Sequence, residues 1–307
     1  MNNKLYKNIE LLLFNKKKSY SEHTKKTYYN RLLWIKNKLN ISSNSVTTIL
    51  NSSQVIKIIE DSDMGTSSKK GTYIMIYSLC KEINMGNRKR DEYKKKMEEY
   101  NDRDNKIKGK DEILDNNKWC TWNELCSIYN LIDESTYAGL QDKIIIGLYT
   151  RLEGYIFRLD FGEVIITLTK PQNNDHNYIY CNQECILYLN QYKTQKMYGN
   201  QIIKINDNDL IRLIIMKVNK GGKYLLTNYR NYNKPLTDGN LGKRITMLCD
   251  NYLKKHITIN TIRQIGETDN INSDAYKSSS IKDKEKMHNK LQHSFMMGHY
   301  YAKTITN

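Results

Sequence analysis

The sequence predicts an α+β fold that is mainly α, with a small antiparallel β-sheet and two domains. Three observations predict it. Apolar residues recur at helical spacing through the first hundred residues and again from Thr121 onward. After Gly162 the chain changes to short runs of β-branched and aromatic residues that polar turns separate. Between the two helical stretches, residues 101–117 are polar and charged with almost nothing to bury, as in a linker.

The first domain, residues 1–100, is predicted to be a small all-helical unit. Ser19 and Glu22 have the spacing of a capping box, which marks the start of a helix. Tyr28 and Leu32 then begin an apolar pattern at helical spacing, so the first helix is expected here. Further helices are predicted at 53–60, 68–83 and 88–100.

The second domain, residues 118–307, is predicted to combine helices with the sheet. Thr121 and Glu124 form a second possible capping box, and another helix is expected across 135–152. The predicted strands lie at 164–168, 178–180, 186–189 and 201–205. Helical patterns return at 207–217, 237–255, 258–266 and 283–291. We find no internal repeat.

The charge of the chain points to a polyanionic partner. Its 307 residues carry a formal net charge of +16, and the isoelectric point is about 9.3. Such a chain has a positive potential over much of its surface, which favours nucleic acid. Abundant Asn, Lys, Ile and Tyr with few Pro are also typical of an AT-rich genome, so composition bias explains part of the charge.

Cysteine spacing and the N-terminus exclude other classes. The six cysteines form no CxxC pair and none of the Cys/His spacings of a zinc site. We therefore expect reduced, mostly buried thiols, no metal and no cofactor. Residues 1–18 contain one apolar run, which is too short for a membrane span and lacks a small-residue cleavage site. The sequence predicts an intracellular protein with no membrane partner.

Three motifs near the C-terminus carry the chemical prediction. They are Asn260-Thr261-Ile262-Arg263, Leu291-Gln292-His293-Ser294 and the pair Tyr300-Tyr301. A guanidinium can hold two phosphate oxygens and stay charged, an imidazole can assist proton transfer, and an activated phenol can act as a nucleophile. On a basic chain without an evident metal site, this order of residues suits phosphoryl transfer in which a protein hydroxyl attacks DNA.

Two earlier segments complete a family resemblance. Residues 148–161 read LYTRLEGYIFRLDF, and residues 190–199 read NQYKTQKMYG. With the C-terminal motifs, the layout resembles the tyrosine recombinase (phage integrase) family, in particular its divergent branch from large DNA viruses and their satellite elements. The resemblance covers most of the chain. It implies a helical core-binding domain that clamps DNA, a linker, and a tyrosine-recombinase catalytic domain built around a three-stranded β element.

The resemblance implies roles for the C-terminal residues. Arg263 matches the arginine of the family's His-x-x-Arg box, with Asn260 in place of the histidine. His293 matches the histidine of a Leu-Gly-His-Ser segment, where it would bind the phosphate or assist proton transfer. Tyr301 is the predicted nucleophile and Tyr300 the alternative, because Tyr301 comes nearer to the family's usual spacing from that histidine.

The resemblance also implies a first arginine and a lysine. Arg158 best fits a viral-branch box in which Tyr-Thr, a Pro-Pro step, an arginine and an acidic residue precede the β element. Arg151 fits the bacterial form of the box and is the alternative. Lys193 resembles the family's hairpin lysine, the general acid toward the leaving 5′ oxygen, and Lys196 is its alternative.

The predicted function is a site-specific DNA recombinase or integrase that cleaves and rejoins DNA through a 3′-phosphotyrosyl intermediate, without metal or ATP. By resemblance, the partner is double-stranded DNA, bound by a homotetramer on two sites. The location would be that of viral or mobile-element DNA, in the host nucleus or a viral factory. A type IB topoisomerase-like enzyme would use the same residues. The competing class is a DNA-binding protein without catalysis, derived from a recombinase, and an RNA-binding protein ranks below both because the common RNA-module signatures are missing.

Overall fold

The structure is a computed structural model. It describes residues 3–14, 20–109, 117–152, 154, 157–182, 184–291, 294, 295, 298 and 302. The chain divides into two compact units, Met1–Glu112 and Ile113–Asn307. Each unit has its own cluster of buried apolar side chains.

The described part of the first unit is helical. Its helices are α1 (Asn3–Phe14), α2 (Glu22–Lys38), α3 (Val46–Asn51), α4 (Val55–Glu60), α5 (Thr66–Glu82) and α6 (Asn87–Gly109). Helices α5 and α6 pack closely together, α1 and α3 contact α5, and α2 packs on α1, α3 and α4.

Tyrosines form much of this first core, which requires a partner for each buried phenol. The Tyr73 and Tyr100 rings stack with centroids 5.6 Å apart. Their hydroxyls donate to the two carboxylate oxygens of Glu60, at 2.6 and 2.8 Å. The hydroxyl of Tyr93 donates to the carbonyl of Leu50. One glutamate at the end of α4 therefore ties that helix to α5 and α6.

The second unit contains helices and two sheets. The helices are α7 (Trp122–Leu131), α8 (Tyr137–Thr150), α9 (Gln195–Tyr198), α10 (Asn208–Asn219), α11 (Asp238–Leu253), α12 (Ile259–Asn272), α13 (Asp274–Ser278) and α14 (Ile281–Lys290). The strands are β1 (Ile165–Thr167), β2 (Tyr178–Cys181), β3 (Cys185–Leu189), β4 (Gln201–Lys204), β5 (Thr227–Asn228) and β6 (Asn231–Pro235).

The larger sheet has the strand order β1-β2-β3-β4. Strands β2, β3 and β4 are antiparallel neighbours, whereas β1 runs parallel to β2 with Ile165 opposite Tyr178. The sheet is therefore mixed: β2, β3 and β4 have the predicted antiparallel arrangement, and β1 adds a parallel strand. Alternating residues identify a strand but do not fix its direction, which the loop 168–177 sets here. Strands β5 and β6 pair separately in an antiparallel ribbon.

Helix α8 lies at the centre of the second core and packs against α7, α10 and α11. Most of its residues from Leu140 to Tyr149 are buried, so it is apolar on nearly all sides. Helix α7 begins with the predicted capping box, in which the Thr121 hydroxyl accepts from the Glu124 amide and the Glu124 carboxylate accepts from the Thr121 amide. The α+β class, mainly helical with a small sheet, is confirmed.

Two helix boundaries differ from the prediction. Ser21 caps α2 by accepting from the Thr24 amide, whereas Ser19 lies outside the described residues. Helix α6 continues to Gly109, so the first part of the predicted linker 101–117 is helical. Charged residues are compatible with a helix here because Arg103 and Glu99 pair one turn apart. Among the described residues, no helix has the length and apolar character needed to cross a membrane.

Candidate functional site

The segment that carries Arg158 is fixed to the core by aromatic side chains. Phe157 and Phe161 are buried and meet edge to face at 5.0 Å. Tyr149, near the end of α8, contacts Phe161 edge to face, and its hydroxyl donates to the carbonyl of Arg158 at 2.5 Å. Burial raises the pKa of Tyr149 well above its ordinary value, so this phenol keeps its proton and remains a donor. The backbone of Arg158 is thereby held in one place.

Arg158 is only partly buried, and its positive charge interacts with the carboxyl group of Asp160. Burial raises the pKa of the Asp160 carboxyl, and the positive charge of Arg158 is the strongest influence that opposes this rise. The Nη1 atom of Arg158 is buried, yet no atom in the described part of the chain accepts a hydrogen bond from it. A buried guanidinium with an unused donor is equipped to bind a further anion.

Arg263 reaches the same place from α12. Its side chain is 4 % exposed, and Nη2 donates to the carbonyl of Leu291 at 3.3 Å. Its positive charge lowers the pKa of both Tyr149 and Asp160. The structure therefore brings Arg158 and Arg263 within electrostatic range of one carboxylate, although they are far apart in sequence.

Asn177 connects the Arg158 segment to the hairpin segment that carries Lys193. Its amide nitrogen donates to the carbonyls of Asp160 and Gln191, at 3.1 and 2.9 Å. Its amide oxygen accepts from the backbone of Asn190 and Gln191, both at 2.8 Å. All four hydrogen bonds available to the side chain are used, so the end of β3 is held against Asp160.

Lys193 lines a cleft of about 630 Å³. Asp160, Asn177 and Asp238 line the same cleft, together with Glu163 and His176. The lysine side chain is exposed. We call this the Lys193 cleft. Asp160 borders this cleft, and the charges of both Arg158 and Arg263 act on its carboxyl.

The turn after Asp160 packs tightly on the start of α11. A Cβ atom added to Gly162 would lie 2.3 Å from the carbonyl oxygen of Leu236 and 3.1 Å from the Asp238 carboxylate. Only glycine permits this close approach. Burial raises the pKa of Asp238, and the negative charge of Glu163 adds to the rise. Asp238 in turn raises the pKa of Asp160.

The alternative residues lie elsewhere. Arg151 donates to Asp207 at 2.7 Å and stacks over the ring of Tyr129 at 3.8 Å, which ties the end of α8 to the start of α10. Lys196 is exposed on α9, and Asn260 is exposed in the first turn of α12. The geometry gives Arg151 a structural contact and keeps Arg158 as the arginine beside Asp160.

The predicted histidine and nucleophile, His293, Tyr300 and Tyr301, lie outside the described residues. Leu291, which precedes them, accepts the hydrogen bond from Arg263.

Chemically, the guanidinium groups of Arg158 and Arg263 and the ammonium of Lys193 are groups that suit a phosphodiester. The guanidinium fork matches nonbridging phosphate oxygens, and an ammonium can supply a proton to a leaving oxygen. The described residues contain no cluster of three or more His, Cys, Asp or Glu side chains able to hold a metal ion.

Sequence reasoning missed Asn177, Tyr149 and Asp160 as parts of this site. Asparagine and tyrosine are abundant along the chain, so their type carries no signal. Asp160 did carry a sequence signal, because an acidic residue follows the arginine in the box that this segment resembles.

No protein-family model matches the sequence, and no curated protein matches it. Among solved structures, the crystal structure of XerA recombinase is similar to this chain, with a TM-score of 0.42 and 11% sequence identity. The match covers 99% of this chain and 94% of that chain. A likeness at this level carries no argument about activity, which has to come from the site itself.

Proposed function

We propose that the chain is a site-specific DNA strand transferase of the tyrosine recombinase type. It cleaves one strand of duplex DNA through a 3′-phosphotyrosyl link and rejoins it to another 5′ end. The observation that carries the proposal is the convergence of Arg158 and Arg263 on Asp160, beside the cleft that contains Lys193. Arg158 is close to Asp160 in the sequence, whereas Lys193 and Arg263 come from distant segments.

The two arginines bind the scissile phosphate. Their guanidinium groups hold its nonbridging oxygens and neutralise the charge that grows as a fifth oxygen approaches phosphorus. Arg158 has a buried donor ready for this, its Nη1 atom. The Arg158 segment needs little reorganisation during the reaction, because Phe157, Phe161 and Tyr149 already fix it in place.

One bond forms as another breaks, so the reaction needs no external energy source. The tyrosine oxygen forms a bond to phosphorus as its proton passes to His293 or to water, and the bond from phosphorus to the 5′ oxygen breaks. Lys193 donates a proton to that leaving oxygen, and it can do so because its long, flexible side chain is exposed and lines the cleft. His293 assists proton transfer, and Tyr301 is the attacking residue in this proposal, with Tyr300 as the alternative.

The partner in this proposal is double-stranded DNA, and four protomers act on two sites. The net charge of +16 supports a polyanionic partner.

The decisive experiment looks for a covalent protein–DNA adduct. Duplexes that bind the chain are first enriched from a random-sequence pool, and the enriched duplex is then prepared with a single nick at each position in turn. A nick next to the cleavage site lets the short 5′-hydroxyl fragment diffuse away and traps the adduct. We expect an adduct that survives denaturant, and peptide mass spectrometry should place the nucleotide on Tyr301.

Variants test the roles. Arg158→Ala and Arg263→Ala should each slow adduct formation by about two orders of magnitude or more, roughly 3 kcal/mol. Arg158→Lys should fail similarly because a point charge cannot form the bidentate fork. Arg230→Ala, which removes an exposed arginine that does not line the Lys193 cleft, is the matched control and should leave the rate unchanged.

The competing proposal is a DNA-binding protein without catalysis. One observation favours it: Asn260, where the resembled box has a histidine, is exposed in the first turn of α12. If tight duplex binding comes with no adduct at any nick position, this second proposal replaces the first.

A further inference from the structure

Three polar side chains are buried together beneath α12, outside the site described above. Glu267 on α12 and His288 on α14 are 1 % and 0 % exposed. The Nδ1 atom of His288 lies 3.0 Å from Oε1 of Glu267, and its Nε2 atom lies 2.8 Å from the hydroxyl of Tyr276 on α13. Burying such groups is costly unless they are paired, and the two ring nitrogens of His288 face the Glu267 carboxylate and the Tyr276 hydroxyl.

The C-terminal segment lies directly on this pair. The ring of Phe295 meets the ring of His288 edge to face at 5.2 Å. A Cβ atom added to Gly298 would lie 2.1 Å from Cε1 of His288 and 2.6 Å from Oε1 of Glu267. The amide of Gly298 donates to the carbonyl of Ser294, and the amide of Ala302 donates to that of Gly298. The segment therefore makes helical hydrogen bonds while Gly298 presses against the buried pair.

The same two helices hold Arg263. Glu267 follows Arg263 by one turn of α12, and Leu291 follows His288 by one turn at the end of α14. Arg263 bonds to Leu291, and Glu267 contacts His288, so two successive turns tie α12 to the end of α14. A shift of the Glu267–His288 pair would move the C-terminal segment relative to Arg263.

We propose that Glu267 and His288 are positioning residues, which seat Phe295 and Gly298 of this chain's own C-terminal segment against α12, the helix that carries Arg263. The inference rests on the proposed function, because that segment includes the predicted attacking tyrosine. Neither residue touches the reacting phosphate. Their effect is on the rate of attack within the bound complex, since a small misplacement of a nucleophile is enough to slow a reaction strongly.

Gly298→Ala is the sharpest variant. The added methyl cannot fit against His288 and Glu267, both of which are enclosed by other atoms, so the segment must lift from its seat. Glu267 and His288 do not belong to the two clusters of buried apolar side chains, so the substitution spares these cores. Gly86→Ala is the matched control, because an added methyl there meets no atom within 4 Å. Glu267→Ala tests the same contact by removing one of the two side chains against which Gly298 packs.

Two measurements keep the seat and the function separate. Hydrogen–deuterium exchange of the peptide spanning residues 294–302 in the full chain reports the seat without any reaction. The rate of adduct formation, at protein concentrations that saturate the nicked duplex, reports the attack without binding. We expect Gly298→Ala to speed exchange roughly tenfold or more and to slow adduct formation by a similar factor. Duplex affinity and the melting temperature should match those of Gly86→Ala.

Each outcome is decisive. Unchanged exchange in both Gly298→Ala and Glu267→Ala overturns the seat. Faster exchange with an unchanged adduct rate overturns the positioning role. If the unmodified chain forms no adduct, but the variants change hydrogen exchange as expected, the proposed function fails while the seat stands. Loss of duplex affinity in step with the adduct rate would show a binding effect and overturn the positioning role as well.

Discussion

Lys217 offers the most direct test of the physical reasoning, because its charge is buried without a counter-ion. It lies on α10 and is 0 % exposed. Its ammonium contacts only neutral oxygens, those of Tyr137, Gln141 and Thr227, and it lies 3.8 Å from the centre of the Tyr137 ring. In the described part of the chain no carboxylate pairs with it. Burial lowers its pKa to about 7, and the positive charge of Lys220 adds to the effect.

The magnitude follows from linkage. A fall from the ordinary value of 10.5 to about 7 corresponds to about 5 kcal/mol of lost stability when the lysine is charged in both states. Between these pKa values the unfolded chain keeps the proton and the folded chain loses it. The free energy of unfolding therefore rises with pH in this window, by about 2 kcal/mol between about pH 7 and about pH 9. Below the folded pKa the penalty is complete and constant.

Lys217→Met should remove this dependence. The oxygens left behind can bond one another, since the Thr227 hydroxyl already donates to Gln141 and lies 3.3 Å from the Tyr137 hydroxyl. We expect the variant to be more stable than the unmodified chain near neutral pH, with an advantage that shrinks by about 2 kcal/mol between about pH 7 and about pH 9.

The assay is urea unfolding of both proteins at the two pH values and constant ionic strength. Taking the difference between them cancels every other titrating group. Lys243→Met, at an exposed position on α11, is the control and should show no such trend. A difference between Lys217→Met and the unmodified chain that stays constant with pH would refute the reasoning.

The other predictions concern the site, the sheet, the partner and the linker. Asn177→Ala should lower the free energy of unfolding by roughly 2–4 kcal/mol in urea unfolding, because several buried backbone groups lose their partners. Cys181 and Cys185 are paired across β2 and β3 with sulfurs 2.8 Å apart, so diamide should join them, with a mass loss of two hydrogens that Cys181→Ser prevents. Duplex affinity should fall about a thousandfold between about 50 and 200 mM salt if about six phosphates are contacted, and a flat salt titration would contradict this. Limited trypsin digestion should cut first within residues 101–117, and protection of that range would argue against a linker.

Local patterns predicted most of the elements. The four strands of the larger sheet lie within a residue or two of the predicted runs, and the capping box at Thr121 is present. These features depend on neighbouring residues, which a sequence displays directly. Strand β6, with the sequence NYNKP, has no apolar alternation, and it is a strand only because β5 pairs with it.

The pairing of side chains from different helices was not predictable from a single sequence. Lys217 and Glu267 look like ordinary surface residues of amphipathic helices, yet both are buried. The partners that make burial possible come from other elements: Tyr137 and Gln141 from α8 for the lysine, and His288 from α14 for the glutamate. Such pairs reflect tertiary packing, which outweighs local propensity.

Asp160 explains how a phosphate site can be assembled before the phosphate arrives. Two guanidinium groups held near one another repel, and in a chain with a net charge of +16 the surroundings add to that repulsion. The carboxylate of Asp160 attracts both Arg158 and Arg263, as its pKa shows. The Nη1 atom of Arg158 has no acceptor among the described residues, so the charge of the carboxylate acts on this arginine while that donor stays available. In the proposed reaction, the incoming phosphate therefore meets cations that are already in place, and little reorganisation is left for the step that forms the bond to tyrosine.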